Sequence, residues 1–240
     1  MAGEPEANTH ILEPNEIGPF VSECIVKEAQ KSISERGIFT LGVSGGSIVN
    51  ILSETLAKKN NVDWGKWRIF FCDERHVPFT DPESTFTQYK NKVIDVVGYE
   101  SSWIVIDPNL TVEKCAADYQ TKIQNVFKCE TEFPKFDMLL LGMGPDGHTC
   151  SLFPEHKLLE EKDLIIAPIS DSPKPPPKRV TMTLPVLNNA RNVIFISAGA
   201  SKAETIKKVF DKSSKLPASL VKPTDGILRW VMDKAAASLL

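Results

Sequence analysis

Paired cysteines are the first thing missing from this 240-residue sequence. Its five cysteines, Cys24, Cys72, Cys115, Cys129 and Cys150, are scattered, odd in number and without a C-x-x-C pair. That pattern excludes a disulfide framework and predicts reduced thiols in a cytoplasmic protein. Histidine is as sparse. His10, His76, His148 and His156 show no H-E-x-x-H spacing, so no metal is expected. No apolar run approaches the roughly 20 residues that cross a bilayer, and the polar, acidic opening MAGEPEANTH predicts neither a signal nor a transit peptide. No basic block is long enough to follow a nucleic-acid backbone. Membrane and nucleic acid are therefore not expected partners. The weak net charge of −3 still permits an anionic small molecule, because a few positive groups dominate inside a cleft.

What is present is a globular composition, 42% apolar and 25% charged, in which strand and helix signals alternate. Ile17, Phe20, Val21, Cys24 and Ile25 predict an N-terminal amphipathic helix. Strands are expected at 38–44, 67–73, 103–106, 136–142, 164–169, 179–184 and 192–198. Helices are expected to follow Ile48, at 84–97, from Val112 to Val126, from Lys202 to Phe210, and at the end from about Ile227 to Leu239. FDMLLLG (136–142) is continuously apolar, as a strand covered on both faces is. The pattern predicts one α/β domain over 1–240, Rossmann-like, with a mostly parallel sheet flanked by helices. The strand–helix units are too few for an eightfold barrel. SPKPPPKR (172–179) fits neither helix nor central strand, and its shortness makes it an active-site wall rather than a linker.

In such sheets ligands bind beyond the carboxyl ends of the strands. Three unusual stretches fall there: Ser44–Ser47, Asp73–His76 and Gly142–His148. GVSGGS leaves the amides of Gly45 and Gly46 uncovered at a helix start, with hydroxyls from Ser44 and Ser47, and a phosphate fits such a turn. A tight turn with Ser47 as N-cap fits it equally. It is neither a Walker A loop nor a G-x-G-x-x-G turn. In CDERHVP, Asp73 is placed to orient a base or accept from substrate, and Arg75 to grip a phosphate or an oxyanion. Glu74 and His76 read as a salt-bridged loop start. In LLLGMGPDGHTCSLFP (139–154), glycines let the chain turn sharply and hold Asp146 and His148 near a ligand. His148 is the natural general base near neutral pH, and Asp146 is close enough in sequence to orient it. HTCSLFP reads as a short helical turn anchored by Leu152 and Phe153. Ser151 lacks a nucleophile elbow, and Cys150 reads as core filler.

These stretches together resemble the 6-phosphogluconolactonase family, within the wider group of glucosamine-6-phosphate isomerase-like proteins. GVSGGS, FFCDERHVPFTDPEST, LLLGMGPDGHTCSLFP, PKPPPKRVTMT, ISAGASKAE, LPASLVKP and WVMDKAAA carry the likeness from about residue 10 to the end. The resemblance implies the NagB/RpiA/CoA transferase-like fold. It implies hydrolysis of 6-phospho-D-glucono-1,5-lactone in the pentose phosphate pathway, with no cofactor, in the cytoplasm. A monomer or weak homodimer is expected, although the sequence itself leaves the oligomeric state open. It implies His148 as general base, the Ser44–Ser47 turn with Arg179 and Lys202 as phosphate site, and Arg75 as a substrate or oxyanion contact. The related amino-sugar isomerases continue from the histidine into Phe-Asn-Glu-Pro. Here the segment is Leu152-Phe153-Pro154, with Phe153 in the glutamate's place, which favours lactone hydrolysis over deamination. The alternatives are a glucosamine-6-phosphate deaminase/isomerase and a non-catalytic sugar-phosphate sensor.

Overall fold

The computed structural model describes residues 8–240, so of MAGEPEANTH only Asn8, Thr9 and His10 fall within the described residues. They lead into an edge strand, β1 (Thr9–Leu12), and then α1 (Pro14–Arg36). A capping box between Glu13 and Glu16 starts α1, and Gly37, at φ 82°, ends it. β2 (Phe39–Val43) is buried throughout and passes through the glycine turn into α2 (Ser47–Glu54). β3 (Trp67–Phe71) is followed almost at once by β4 (Asp73–Arg75). The helix α3 (Thr85–Tyr89) continues through a π-helical segment, Lys90–Ile94, into α4 (Asp95–Val97). After the short β5 (Trp103–Ile104) come α5 (Val112–Phe127) and β6 (Met138–Gly142). The last part holds β7 (Ile166–Ile169), β8 (Arg179–Met182), α6 (Leu184–Asn188), β9 (Asn192–Ser197), α7 (Ala203–Val209), α8 (Pro217–Leu220) and β10 (Ile227–Asp233).

Seven strands form one parallel sheet in the order β1-β10-β9-β6-β2-β3-β5. Side chains alternate across it. Leu139, Leu141, Val193 and Phe195 pack into a core with Tyr119 of α5, whereas Met138, Leu140, Ile194 and Ile196 pack into another with Val21 and Ile25 of α1. Burial on both faces explains the unbroken apolar runs. From β2 the chain runs outward to β3 and β5, and β6, β9 and β10 lie on the other side. The β2/β6 boundary is therefore a topological switch point, where a crevice opens above the strand ends.

The fold matches the expected parallel α/β sheet, with three corrections. The expected terminal helix is instead β10, inserted between β9 and the unforeseen β1. Trp230 and Met232 face one core and Val231 the other, a period of two that tertiary pairing imposes over the helix-forming tail. The expected strands at 164–169 and 179–184 form, as β7 and β8, but they join β4 in a separate antiparallel sheet. HTCSLFP is not helical. Thr149 to Leu152 is a turn closed by a β-bridge, with Cys150 at φ 51°, although Leu152 and Phe153 are buried as expected. Among the described residues no helix is long and apolar enough to cross a membrane.

Candidate active site

Four neighbouring strands, β9, β6, β2 and β3, end at the same edge of the parallel sheet, and the loops leaving them enclose a cavity of about 240 Å³. Ser44, Gly45, Gly46, Ser47, Asp73, Arg75, His148, Arg179 and Lys202 all line it. Asp146 does not line it. It stands behind His148, with Oδ1 2.5 Å from Nδ1.

The loop from Gly142 to His148 is shaped to hold that pair. The Gly144 amide donates to the His148 carbonyl at 2.9 Å, and the Gly147 amide to the Gly144 carbonyl at 3.0 Å. Gly147 has φ 82°, a conformation that favours glycine. The imidazole leans on the buried Phe153 ring, with centroids 4.8 Å apart. Burial opposes ionisation of Asp146, but hydrogen bonds from His148 and Lys174 outweigh it and hold the carboxyl down at about 2. Asp146 is thus a carboxylate, and it accepts the proton on Nδ1. Among the described residues no group bonds Nε2, which leaves that nitrogen's lone pair available. Burial holds the His148 pKa below its ordinary value, with Asp146 opposing. The ring is a neutral acceptor at physiological pH.

Positive charge gathers across the cavity. Arg179 is 4% exposed, and its guanidinium donates to the carbonyls of Lys174, Pro175 and Pro176. Among the described residues no carboxylate lies within ion-pair distance of it, and Asp73 acts on it only from beyond Ser151, so a buried cation is left without a direct partner. Its cross-strand partner is Arg75, and like charges so placed repel. Arg75 is held by the carbonyl and carboxylate of Glu83 at 2.9 and 3.2 Å. Lys202 Nζ donates to the Met143 carbonyl at 2.8 Å, and burial lowers its pKa. No side chain caps α2, whose first residue is Ser47, and its N-cap is Gly46 at φ 72°. The expected Ser47 cap is therefore not made. The Ser44 hydroxyl is buried without a partner. Uncapped amides, an orphaned hydroxyl and two or three cations form a place for an anion.

Asp73, the first residue of β4, makes no hydrogen bond to the imidazole. Its Oδ2 accepts from Ser151 Oγ at 2.8 Å, and Ser151 is fully buried. Of the two candidate orienters of His148, the structure thus sets Asp146 against the ring. Glu74 and His76 are structural, but not as a salt-bridged loop start. The buried Glu74 carboxylate accepts the amides of Arg75, Thr85 and Phe86, and His76 Nε2 lies 2.9 Å from the Leu110 carbonyl. Three residues escaped the sequence reading: Thr85 and Ser197, which line the cavity, and Lys174, which reaches the His148–Asp146 pair. Ser197 sits at a strand end, and Lys174 in the proline-rich wall, so both had a positional signal. Among the described residues no cluster of three or more His, Cys, Asp or Glu side chains is placed to hold a metal.

Residues 13–230 match the family described as glucosamine-6-phosphate isomerases/6-phosphogluconolactonase. The chain is 46% identical over 235 residues to the 6-phosphogluconolactonase of Bos taurus, covering 95% of this chain and 91% of that protein. It is also 46% identical over 233 residues to the 6-phosphogluconolactonase of Homo sapiens, covering 94% and 90%. The crystal structure of a 6-phosphogluconolactonase from Thermotoga maritima matches with a TM-score of 0.83 at 26% identity, over 95% of this chain and 99% of that one.

Proposed function

Because the chain belongs to the glucosamine-6-phosphate isomerase/6-phosphogluconolactonase family, we propose that it hydrolyses 6-phospho-D-glucono-1,5-lactone to 6-phospho-D-gluconate, a step of the pentose phosphate pathway. It works in the cytoplasm without a cofactor, as a single domain and as a monomer or weak homodimer. The observation that carries this reading is one cavity shared by an imidazole with a free Nε2 and a buried arginine with no carboxylate in ion-pair contact. Acid–base chemistry and an anion site are what a phosphorylated lactone requires.

In this reading His148 Nε2 takes a proton from water as the oxygen attacks the lactone C1. Asp146 stabilises the imidazolium that forms. The same proton then passes to the ring oxygen as the C1–O5 bond breaks, which leaves a carboxylic acid and a hydroxyl. Arg179, Lys202 and the Ser44–Ser47 turn hold the phosphate. Arg75 adds charge at the Arg179 end or meets the C1 oxyanion. Asp73, with one oxygen committed to Ser151, offers the other to a sugar hydroxyl. Binding energy from the remote phosphate thereby positions the reacting carbon.

Acid release from freshly generated lactone, with spontaneous hydrolysis subtracted, tests the reading directly. Turnover of the phosphorylated lactone well above that of free gluconolactone is expected, along with loss of kcat and kcat/KM together in His148→Asn. Formation of fructose 6-phosphate from glucosamine 6-phosphate would instead select the isomerase. Phe153 argues against that outcome, since it is buried beside His148 where the isomerase sequence carries a glutamate.

A further inference from the structure

We propose that Lys174 is a positioning residue that keeps the His148 ring neutral between turnovers, offsetting the pull of Asp146 on the same nitrogen. The inference rests on the hydrolytic reading above, in which Nε2 is the base. Lys174 Nζ lies 3.0 Å from Asp146 Oδ1 and 3.1 Å from His148 Nδ1. It is not among the residues that line the cavity, and it meets the imidazole at Nδ1, on the side of Asp146.

Two groups compete at Nδ1. An ammonium there favours the tautomer with a bare Nδ1, whereas a carboxylate favours Nδ1–H. The Asp146 carboxylate stands closer to Nδ1, at 2.5 Å against 3.1 Å for the ammonium, and it takes the proton. The lone pair is thereby left on Nε2. The ammonium has a second effect, since a positive charge about 3 Å from the ring opposes a second proton on it. Asp146 alone would favour the imidazolium, and Lys174 offsets that pull. The other charged groups that share the cavity with the ring are Asp73 on β4, which favours the imidazolium, and the cations Arg75 on β4, Arg179 on β8 and Lys202 before α7, which oppose it.

The lysine is held as a positioning group should be. Ser172 Oγ donates to its carbonyl at 2.9 Å and accepts from its amide at 3.2 Å. Arg179 Nη2 donates to the same carbonyl at 3.1 Å. Prolines at 175–177 stiffen the segment. The cation proposed for the phosphate therefore also fastens the backbone that presents Lys174.

The test compares Lys174→Met, Lys174→Gln and Lys174→Arg by NMR titration of the His148 ring, assigned by its loss in His148→Asn, and by pH profiles of kcat/KM. Met and Gln should each raise the His148 pKa by about one unit. The acid limb of kcat/KM should move up with it, KM should change less than about twofold, and Arg should restore the wild-type values. Gln keeps hydrogen-bonding capacity without charge, so it decides the matter if Met disturbs folding. An unmoved His148 pKa in both overturns the proposal, as does a rise in KM with kcat intact. The NMR reading needs no turnover, so a shifted pKa in a protein inactive on the lactone would leave the role of Lys174 standing and refute the assigned reaction.

Discussion

The ring of His148 occupies the space where a side chain on Gly144 would begin. An ideal Cβ there would stand 2.0 Å from both Cε1 and Nδ1 of the imidazole, and 2.7 Å from Asp146 Oδ1. Gly144 is not required by a left-handed φ; it is required by the close approach of the pair it accommodates.

Gly144→Ala should therefore displace the base without unfolding the protein. A shift of about 1 Å at a reacting group costs on the order of 100-fold in rate. We expect a loss of that size in kcat, measured by acid release, with circular dichroism and phosphate binding close to wild type. Full activity in this variant would mean that the observed His148 position is not the working one.

The pH profile follows from the burial of His148. A base whose pKa lies below its ordinary 6.5 stays unprotonated into mildly acid solution. The enzymatic kcat/KM should fall only as pH drops through a midpoint below 6.5, once spontaneous hydrolysis is subtracted at each pH. That limb should vanish from the residual activity of His148→Asn. A midpoint above 6.5 would show that Asp146 outweighs burial, or that another group is titrating.

The strand-end signals were legible because chemistry at a switch point interrupts an apolar run with residues that no core wants. Ser44–Ser47, Asp73, Asp146 and His148 were all visible in that way. Arg179 and Lys202 came only from the family resemblance, since a charge at a strand or helix start is ordinary. Lys174 lay in a segment recognised as a wall, yet nothing local separates it from Lys178. Its partners come from a loop 26 residues away, and only the folded chain brings them together. The terminal strand failed for a related reason. DKAAASLL favours helix locally, but Ile227–Asp233 is fixed by hydrogen-bonding partners at Thr9–Leu12 and Asn192–Ser197.

Arg179 carries a prediction about ligand and about stability together. A buried guanidinium without a carboxylate gains from any anion that reaches it, so inorganic phosphate and 6-phosphogluconate should raise the wild-type Tm. Arg179→Met should abolish that rise and increase KM about tenfold or more, the scale of a lost charged hydrogen bond. Arg179→Lys should recover part of both. If Arg179→Met kept the preference for phosphorylated over free gluconolactone, the phosphate would have to lie elsewhere.

Glu74 ties the cavity to the pH dependence of folding. Its Oε1 accepts from the amides of Arg75 and Thr85 at 2.7 and 2.8 Å, and its Oε2 from Phe86 at 2.7 Å. The carboxyl is 1% exposed, and burial outweighs these donors and raises its pKa from 4.5 to about 7. A folded pKa above the unfolded one means that its contribution is complete below pH 4.5 and disappears as pH rises through about 7. Glu74→Gln removes this titration and turns an NH₂ towards a buried amide, a loss of about 1–3 kcal/mol. Urea unfolding between pH 5 and pH 8 should therefore show a stability gap between wild type and Glu74→Gln that narrows as pH rises. Arg75 and Thr85, whose amides Glu74 holds, both line the cavity, so the same variant should raise KM. A gap that stayed constant across this range would mean that the native carboxylate is ionised throughout, with its three amide donors dominating over burial.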